Sequence, residues 1–160
     1  MIFVSAGTQD KPFNRLIEGV DRISGQVGEK IIIQTGYSTY VPQNCNFFDF
    51  CDQKEMLNHI RSASLVISQA GFGIIGNAIK LEKPMILVPR EYKFGEAIDK
   101  QYELAEYLAE QNESILCIRD VSQLASAIEK VKGITVHYNY STVIPELIAE
   151  YILQTFPGDA

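Results

Sequence analysis

Leu65-Val66-Ile67-Ser68-Gln69-Ala70-Gly71-Phe72-Gly73-Ile74-Ile75-Gly76 passes from strand to helix through one short turn. Leu65, Val66 and Ile67 are apolar at consecutive positions, the pattern of a strand buried on both faces. Gly71 and Gly73 close that strand, and a helical pattern follows to about Leu81. A strand with two buried faces that feeds a helix is a building unit of a parallel sheet with helices on both sides.

The same unit recurs outward from this stretch. Upstream, Ile2-Phe3-Val4 ends at Gly7, and Pro12 is placed for a first helical turn before Phe13, Leu16, Ile17, Val20 and Ile23 at helical spacing. Ile31-Ile32-Ile33 is a β-branched run closed by Thr35-Gly36, and Phe47, Phe48 and Phe50 suggest a third strand. Asp52 with Glu55 three residues on reads as a helix start, with Met56, Leu57 and Ile60 on its apolar face. Downstream, Pro84 precedes the strand Met85-Ile86-Leu87-Val88. Ile98, Gln101, Leu104, Ala105 and Leu108 mark a helix, and Ile115 to Ile118 a sixth strand. Asp120 and Gln123 open a helix through Leu124, Ile128 and Val131, and a last helix runs from about Thr142 to Phe156. No repeat or linker interrupts residues 1–160, so a single α/β unit, a Rossmann-like parallel sheet covered by helices on both faces, is expected.

Composition narrows the function classes. The chain has 160 residues, 46% hydrophobic and 21% charged, which excludes a disordered or low-complexity protein. Its net charge is -6 and no basic cluster is present, which argues against nucleic acid and against adsorption to anionic lipid as partners. No apolar run approaches the ~18 residues of a spanning helix, so any membrane attachment is expected through a partner. Cys45, Cys51 and Cys117 form no C-x-x-C pair and only His59 and His137 accompany them, so no zinc spacing exists and reduced thiols in a cytoplasmic protein are expected.

In parallel sheets the ligand crevice lies beyond the carboxyl ends of the strands. Those ends carry Ser5-Ala6-Gly7-Thr8-Gln9, Gln34-Thr35-Gly36-Tyr37-Ser38, Ser68 to Gly73 and Pro89-Arg90-Glu91. Glycine admits close backbone approach, and a helix N-terminus behind it favours phosphate, although βα turns use glycine for their own geometry too. Gly71-x-Gly73-x-x-Gly76, with Glu91 twenty residues after Gly71, also matches a dinucleotide fingerprint, but two βα units precede it. Gly36-Tyr37-Ser38-Thr39-Tyr40 hints at a nucleophile elbow without its closing glycine, with His137 as a speculative base. Glu96 and Asp99, three apart at a helix start, either complement the helix dipole or, with Gln101, bind sugar hydroxyls.

Taken in order, Ile2 to Thr8, Ile33-Gln34-Thr35-Gly36, Val66 to Gly73, Lys83-Pro84-Met85 to Arg90, and Gly95-Glu96 with Asp99-Lys100-Gln101 resemble one family from Met1 to about Leu153. The chain is similar to the C-terminal donor-binding domain of family 28 glycosyltransferases. More narrowly, it resembles the stand-alone version, the small subunit of two-component transferases of dolichol-linked sugar and of bacterial exopolysaccharide and capsule synthesis. The resemblance implies half of a GT-B fold and a UDP-sugar donor. It places Gly7, Thr8 and Gln9 at the diphosphate, the backbone around Phe50 and Cys51 at the uracil, Gly71, Phe72 and Gly73 at the pyrophosphate and ribose, and Glu96, Asp99 and Gln101 at the sugar. It further implies a membrane-associated partner that supplies the acceptor and the general base, a place at the inner face of the membrane, and no cofactor or metal. Inversion at the transferred carbon is implied as well. The final helix, with Tyr151 and Phe156, is expected either to dock that partner or to pack on the core. Three positions depart from the family pattern: Gln69 where His is common, Ile74 where Thr is frequent, and Asn77 where a ribose-binding Glu is usual. Because a charged acceptor is lost at Asn77, a non-catalytic binding module is the competing reading, with an NAD(P)-binding protein third.

Overall fold

The computed structural model describes residues 1–96 and 102–138. One six-stranded sheet runs through it, formed by β1 (Ile2–Ser5), β2 (Ile31–Gln34), β3 (Asn46–Phe48), β4 (Leu65–Ser68), β5 (Met85–Leu87) and β6 (Ile115–Cys117). Every pairing is parallel, in the order β3-β2-β1-β4-β5-β6. Val4 stands beside Ile33 on one side and Ile67 on the other. Between the strands run α1 (Asn14–Val27), α2 (Gln53–Ser62), α3 (Phe72–Lys80) and α4 (Tyr102–Gln111), and α5 (Leu124–Val131) follows β6. The chain winds outward from β1 to β3, then restarts at β4 and winds outward the other way. The reversal lies between β1 and β4, and it is there that a doubly wound sheet opens a crevice.

Continuous apolar strands follow from this two-sided burial. Ile2, Val4, Ile33, Ile67 and Ile86 point into one core with Leu16, Ile17 and Val20 of α1 and Leu124, Ile128 and Val131 of α5. Phe3, Val66, Met85 and Leu87 point into a second core with Ile60 of α2, Ile75 and Ala78 of α3, and Ala105 of α4. Each fully buried aliphatic side chain stabilises by about 1.5–3 kcal/mol, so the strands are held from both faces.

Several local expectations shift by a residue or two. Asp52 caps α2, its side chain accepting from the Glu55 amide at 2.8 Å. Pro12 lies outside α1, because Phe13 takes the cap position and donates its N–H to Ser38 Oγ at 3.0 Å. β3 stops at Phe48, and Phe50 lies beyond it, half exposed. A 3-10 turn, Val121–Gln123, comes between Asp120 and α5. Ile98 and the expected last helix, with Tyr151 and Phe156, lie outside the described residues. Among the described residues no helix is long and apolar enough to cross a membrane.

Candidate functional site

A cleft of ≈ 260 Å³ opens where the winding reverses, at the carboxyl ends of β1 and β4. Ser5, Gly7, Thr8 and Gln34 form one wall, Gln69, Gly71, Gly73, Ile74 and Asn77 the other, and Met56 of α2 completes the lining.

The first wall is held by a saturated glutamine. Gln34 ends β2, and its Oε1 accepts from Ser5 Oγ at 2.7 Å and from the Gly7 amide at 3.1 Å. Its Nε2 donates to the carbonyls of Gly7 and Asp49, each at 3.0 Å. Gly7 (φ 81) and Gly36 (φ 57) are left-handed, a conformation that costs an L-residue about 1–2 kcal/mol. A Cβ on Gly36 would also run into the carbonyl oxygen of Gly7, and one on Gly7 into the side chain of Gln69.

The second wall differs. Gly71 caps α3 with ordinary angles (φ -88, ψ 131), no side chain caps the helix among the described residues, and no acid occupies its first turn. The amides of Phe72, Gly73 and Ile74 precede any intrahelical acceptor, and the first such bond is Ile75 to the Gly71 carbonyl at 3.2 Å. A Cβ on Gly73 would meet nothing within 4 Å, and one on Gly71 would make only an ordinary 3.4 Å contact with Gln69. The fold therefore does not demand glycine at either position. What glycine provides is clearance above a row of amides at the positive end of a helix dipole.

Behind this wall lies a buried cation. Arg90, after β5, is 2% exposed. It donates to the carbonyls of Ala6 (2.8 Å), Lys11 (2.9 Å) and Glu96 (3.1 Å), stacks over Phe13 at 4.6 Å, and reaches Oε1 of Gln69 through its Nε. Burial pushes its guanidinium down to about 10, against the pull of Glu96, so it remains charged at neutral pH.

Of the residues singled out by sequence, the structure brings Gly7, Thr8, Gly71, Gly73 and Asn77 together, with Gln69 and Ile74 beside them. Phe72 stands 81% exposed between the two glycines. Both amide atoms of Gln9 are buried and have no hydrogen-bond partner among the described residues. Phe50 and Cys51 follow β3 and do not line the cleft; Phe50 meets Tyr37 edge-on with ring centroids 5.1 Å apart. Glu96 is buried away from the cleft lining, its carboxylate gripped by Arg15 at 2.9 and 3.1 Å and by the Glu91 amide at 3.2 Å. The physical reason is that a buried carboxylate needs a cation and donors, and Arg15 supplies them from α1. Asp99 and Gln101 lie outside the described residues. Gln34 and Arg90 stood in the sequence only as polar residues at strand ends, and the role of Arg15, on α1, carried no signal there.

The rival chemistries lose their geometry. Glu91, offered as the ribose acid of a dinucleotide site, is clasped by Lys93 (2.7 Å) and Arg119 (3.3 Å). Ser38 accepts from the Phe13 amide, and His137 is joined through its carbonyl to Asn112, just before β6, at the opposite edge of the sheet. Burial raises the thiols of Cys45 and Cys117 to about 11, which leaves them protonated and unreactive at neutral pH.

Residues 1–153 match the model of the glycosyltransferase family 28 C-terminal domain. The chain therefore belongs to that family. Among solved structures, it is similar to the glycotransferase of kitacinnamycin, with a TM-score of 0.62, 13% identity, and coverage of 82% of this chain and 34% of that one. It is similar as well to MurG of Acinetobacter baumannii (TM-score 0.61, 16% identity, 96% of this chain, 49% of that one). A third is the spinosyn rhamnosyltransferase SpnG complexed with thymidine diphosphate (0.58, 19%, 84% and 37%). The fold is the C-terminal half of GT-B glycosyltransferases, and the chain spans a third to a half of the length of these structures. No curated protein matches it by sequence.

Proposed function

We propose that the chain is a single nucleotide-sugar-binding domain whose cleft holds the donor of a glycosyl transfer. The observation that carries this reading is the β4–α3 turn, where uncapped amides meet two glycines the backbone does not require. A diphosphate oxygen is the ligand such a row of N–H groups fits. SpnG, which has a similar fold, was solved in complex with thymidine diphosphate, a ligand of the class proposed for this cleft.

In the transfer, the bond from the sugar carbon to the diphosphate oxygen breaks, and the nucleoside diphosphate leaves with the electron pair. An acceptor hydroxyl oxygen bonds to the same carbon and gives its proton to a base. This chain supports the departing half of the reaction: amides at the start of α3 receive the charge that grows on the diphosphate. The acceptor and the base belong to a second half of the GT-B fold, in a heteromeric enzyme that extends a lipid-linked glycan of surface polysaccharide at the inner face of the membrane. UDP-linked sugar is the proposed donor. A non-catalytic binding module is the second reading, favoured by Asn77, a neutral amide in the cleft where the family pattern has an acid.

Calorimetric titration tests the donor site. UDP and UDP-sugars are expected to bind the wild-type chain, and Gly73→Val is expected to weaken them by about a hundredfold while unfolding stays within roughly 0.5 kcal/mol of wild type. Unimpaired binding by Gly73→Val would place the site elsewhere. Sugar transfer by the chain reconstituted with its acceptor-binding half separates the enzyme from the module.

A further inference from the structure

We propose that Arg90 is a positioning residue that fixes the carboxamide of Gln69 with its NH2 group toward the cleft, making Gln69 a one-way hydrogen-bond donor to the diphosphate. The inference rests on the donor-site reading and assigns two residues within it.

A carboxamide has one face that accepts and one that donates, and nothing in its shape decides between them. At Gln69 the choice is made by chemistry. The neighbour is a guanidinium, which has five N–H groups and no acceptor. Its Nε addresses Oε1 of Gln69, and the opposite orientation would set N–H against N–H. Arg90 itself cannot turn away, because Ala6, Lys11 and Glu96 carbonyls hold its other nitrogens and Phe13 covers its face. The Gln69 NH2 group is left over. Among the described residues nothing accepts from it, and Gln69 lines the cleft. Its position is set by two glycines, for the nitrogen occupies the space a Cβ on Gly7 would need and lies 3.4 Å from where one on Gly71 would stand.

Gln69 therefore joins the α3 amides as a further donor at this corner of the cleft. The cation acts through the amide. Drawing electron density toward Oε1, it sharpens the N–H groups as donors, as linked hydrogen bonds do in a low-dielectric interior. Part of the cation's influence thus reaches the cleft while the guanidinium itself stays away from water. Gln34, the glutamine of the facing wall, has all its groups consumed by protein partners and cannot share this role.

Two sets of variants test the assignment, with UDP as the probe and the complete chain in the calorimeter. Gln69→Glu keeps a partner for Arg90 but offers the cleft an oxygen lone pair. Its thermal stability is expected to hold or rise while UDP affinity falls at least about thirtyfold, since a charged ligand group then faces a charged acceptor. Gln69→Leu removes the donor and is expected to lose about tenfold. Arg90→Lys is then measured in the wild-type and Gln69→Leu backgrounds. If Arg90 works through Gln69, Arg90→Lys weakens UDP about tenfold in the first and adds nothing in the second. Equal losses in both backgrounds would make Arg90 a structural residue only and overturn the positioning role. UDP binding by Gln69→Glu at wild-type strength overturns the donor role, yet leaves the donor site standing. No UDP binding by the wild-type chain overturns both.

Discussion

The two walls of the cleft are made from the same residue types and are built on opposite terms. On the β1–β2 side, glycine answers the backbone: Gly7 and Gly36 are left-handed, and neither has room for a Cβ. Gln34 is there to join strand ends, and every polar atom of its side chain is spent on the protein. On the β4–α3 side, Gly71 has an ordinary conformation and Gly73 has open space above it, while Gln69 is satisfied at one end only among the described residues. The first wall is what the fold needs in order to close. The second is more open than folding requires, and such unused clearance and donor capacity is where a ligand fits. Residue type alone does not separate structure from function here; the satisfaction of each group does.

Substitution at matched positions is the strongest way to break the contrast. Gly36→Ala is expected to destabilise by about 4 kcal/mol, from left-handed strain plus collision with the Gly7 carbonyl. Gly73→Ala, in the first turn of α3, is expected to hold or raise stability by up to roughly 1 kcal/mol, because alanine is the better helix former. Urea unfolding of the two variants reads both numbers. Comparable losses would show that the second wall is as structural as the first.

The glutamines give the next largest effect. Gln34→Leu takes the acceptor from the buried Ser5 hydroxyl and the donor from the Gly7 carbonyl, while the Gly7 amide keeps Ser5 Oγ and the Asp49 carbonyl keeps the Gly36 amide, and it is expected to cost about 3 kcal/mol of unfolding free energy. Gln69→Leu strips one acceptor from Arg90 but is expected to cost about 1 kcal/mol, since the guanidinium keeps its carbonyl partners. A larger loss at Gln69 than at Gln34 would reverse the roles given to the two walls.

How much of this was legible in the sequence follows the same division. Ile2-Phe3-Val4, Ile31-Ile32-Ile33, Leu65-Val66-Ile67 and Met85-Ile86-Leu87 announced strands because burial on both faces leaves no polar position to confuse the period. Gly71 and Gly73 announced a turn into a helix, and Asp52 a cap, because both are local devices. Phe50 misled, since an aromatic near an edge strand reads as strand although it pairs with Tyr37 in the open. The glycine at position 7, the glycine at 73 and the two glutamines looked alike along the chain. Their difference lies in φ and in partners distant in sequence, such as Arg90 for Gln69 and Arg15 for Glu96, and side-chain pairings of that range leave no periodicity.

The smallest effect sharpens the comparison through pH. Asp21 of α1 is buried on the β1–β2 half of the molecule, beside the starts of β2 and β3, and ties down the chain between those strands: its carboxylate accepts from the amides of Gln43 (2.9 Å) and Asn44 (2.8 Å) and from the Tyr40 hydroxyl (2.9 Å). Burial alone would raise its pKa, but these donors outweigh it and hold it below the ordinary 3.8. A depressed carboxyl stabilises the fold above its unfolded pKa, and that contribution fades as pH falls through the folded value. Acidification below about pH 4 is therefore expected to loosen this segment first. Hydrogen exchange checks it directly: protection of the Gln43 and Asn44 amides should fall with acid ahead of the α3 amide of Ile75, which bonds the Gly71 carbonyl and meets no titrating group in that bond. Asp21→Asn should remove the acid dependence and lower protection at every pH. Simultaneous loss across both walls would mean that Asp21 supports the molecule as a whole and not the β1–β2 side in particular.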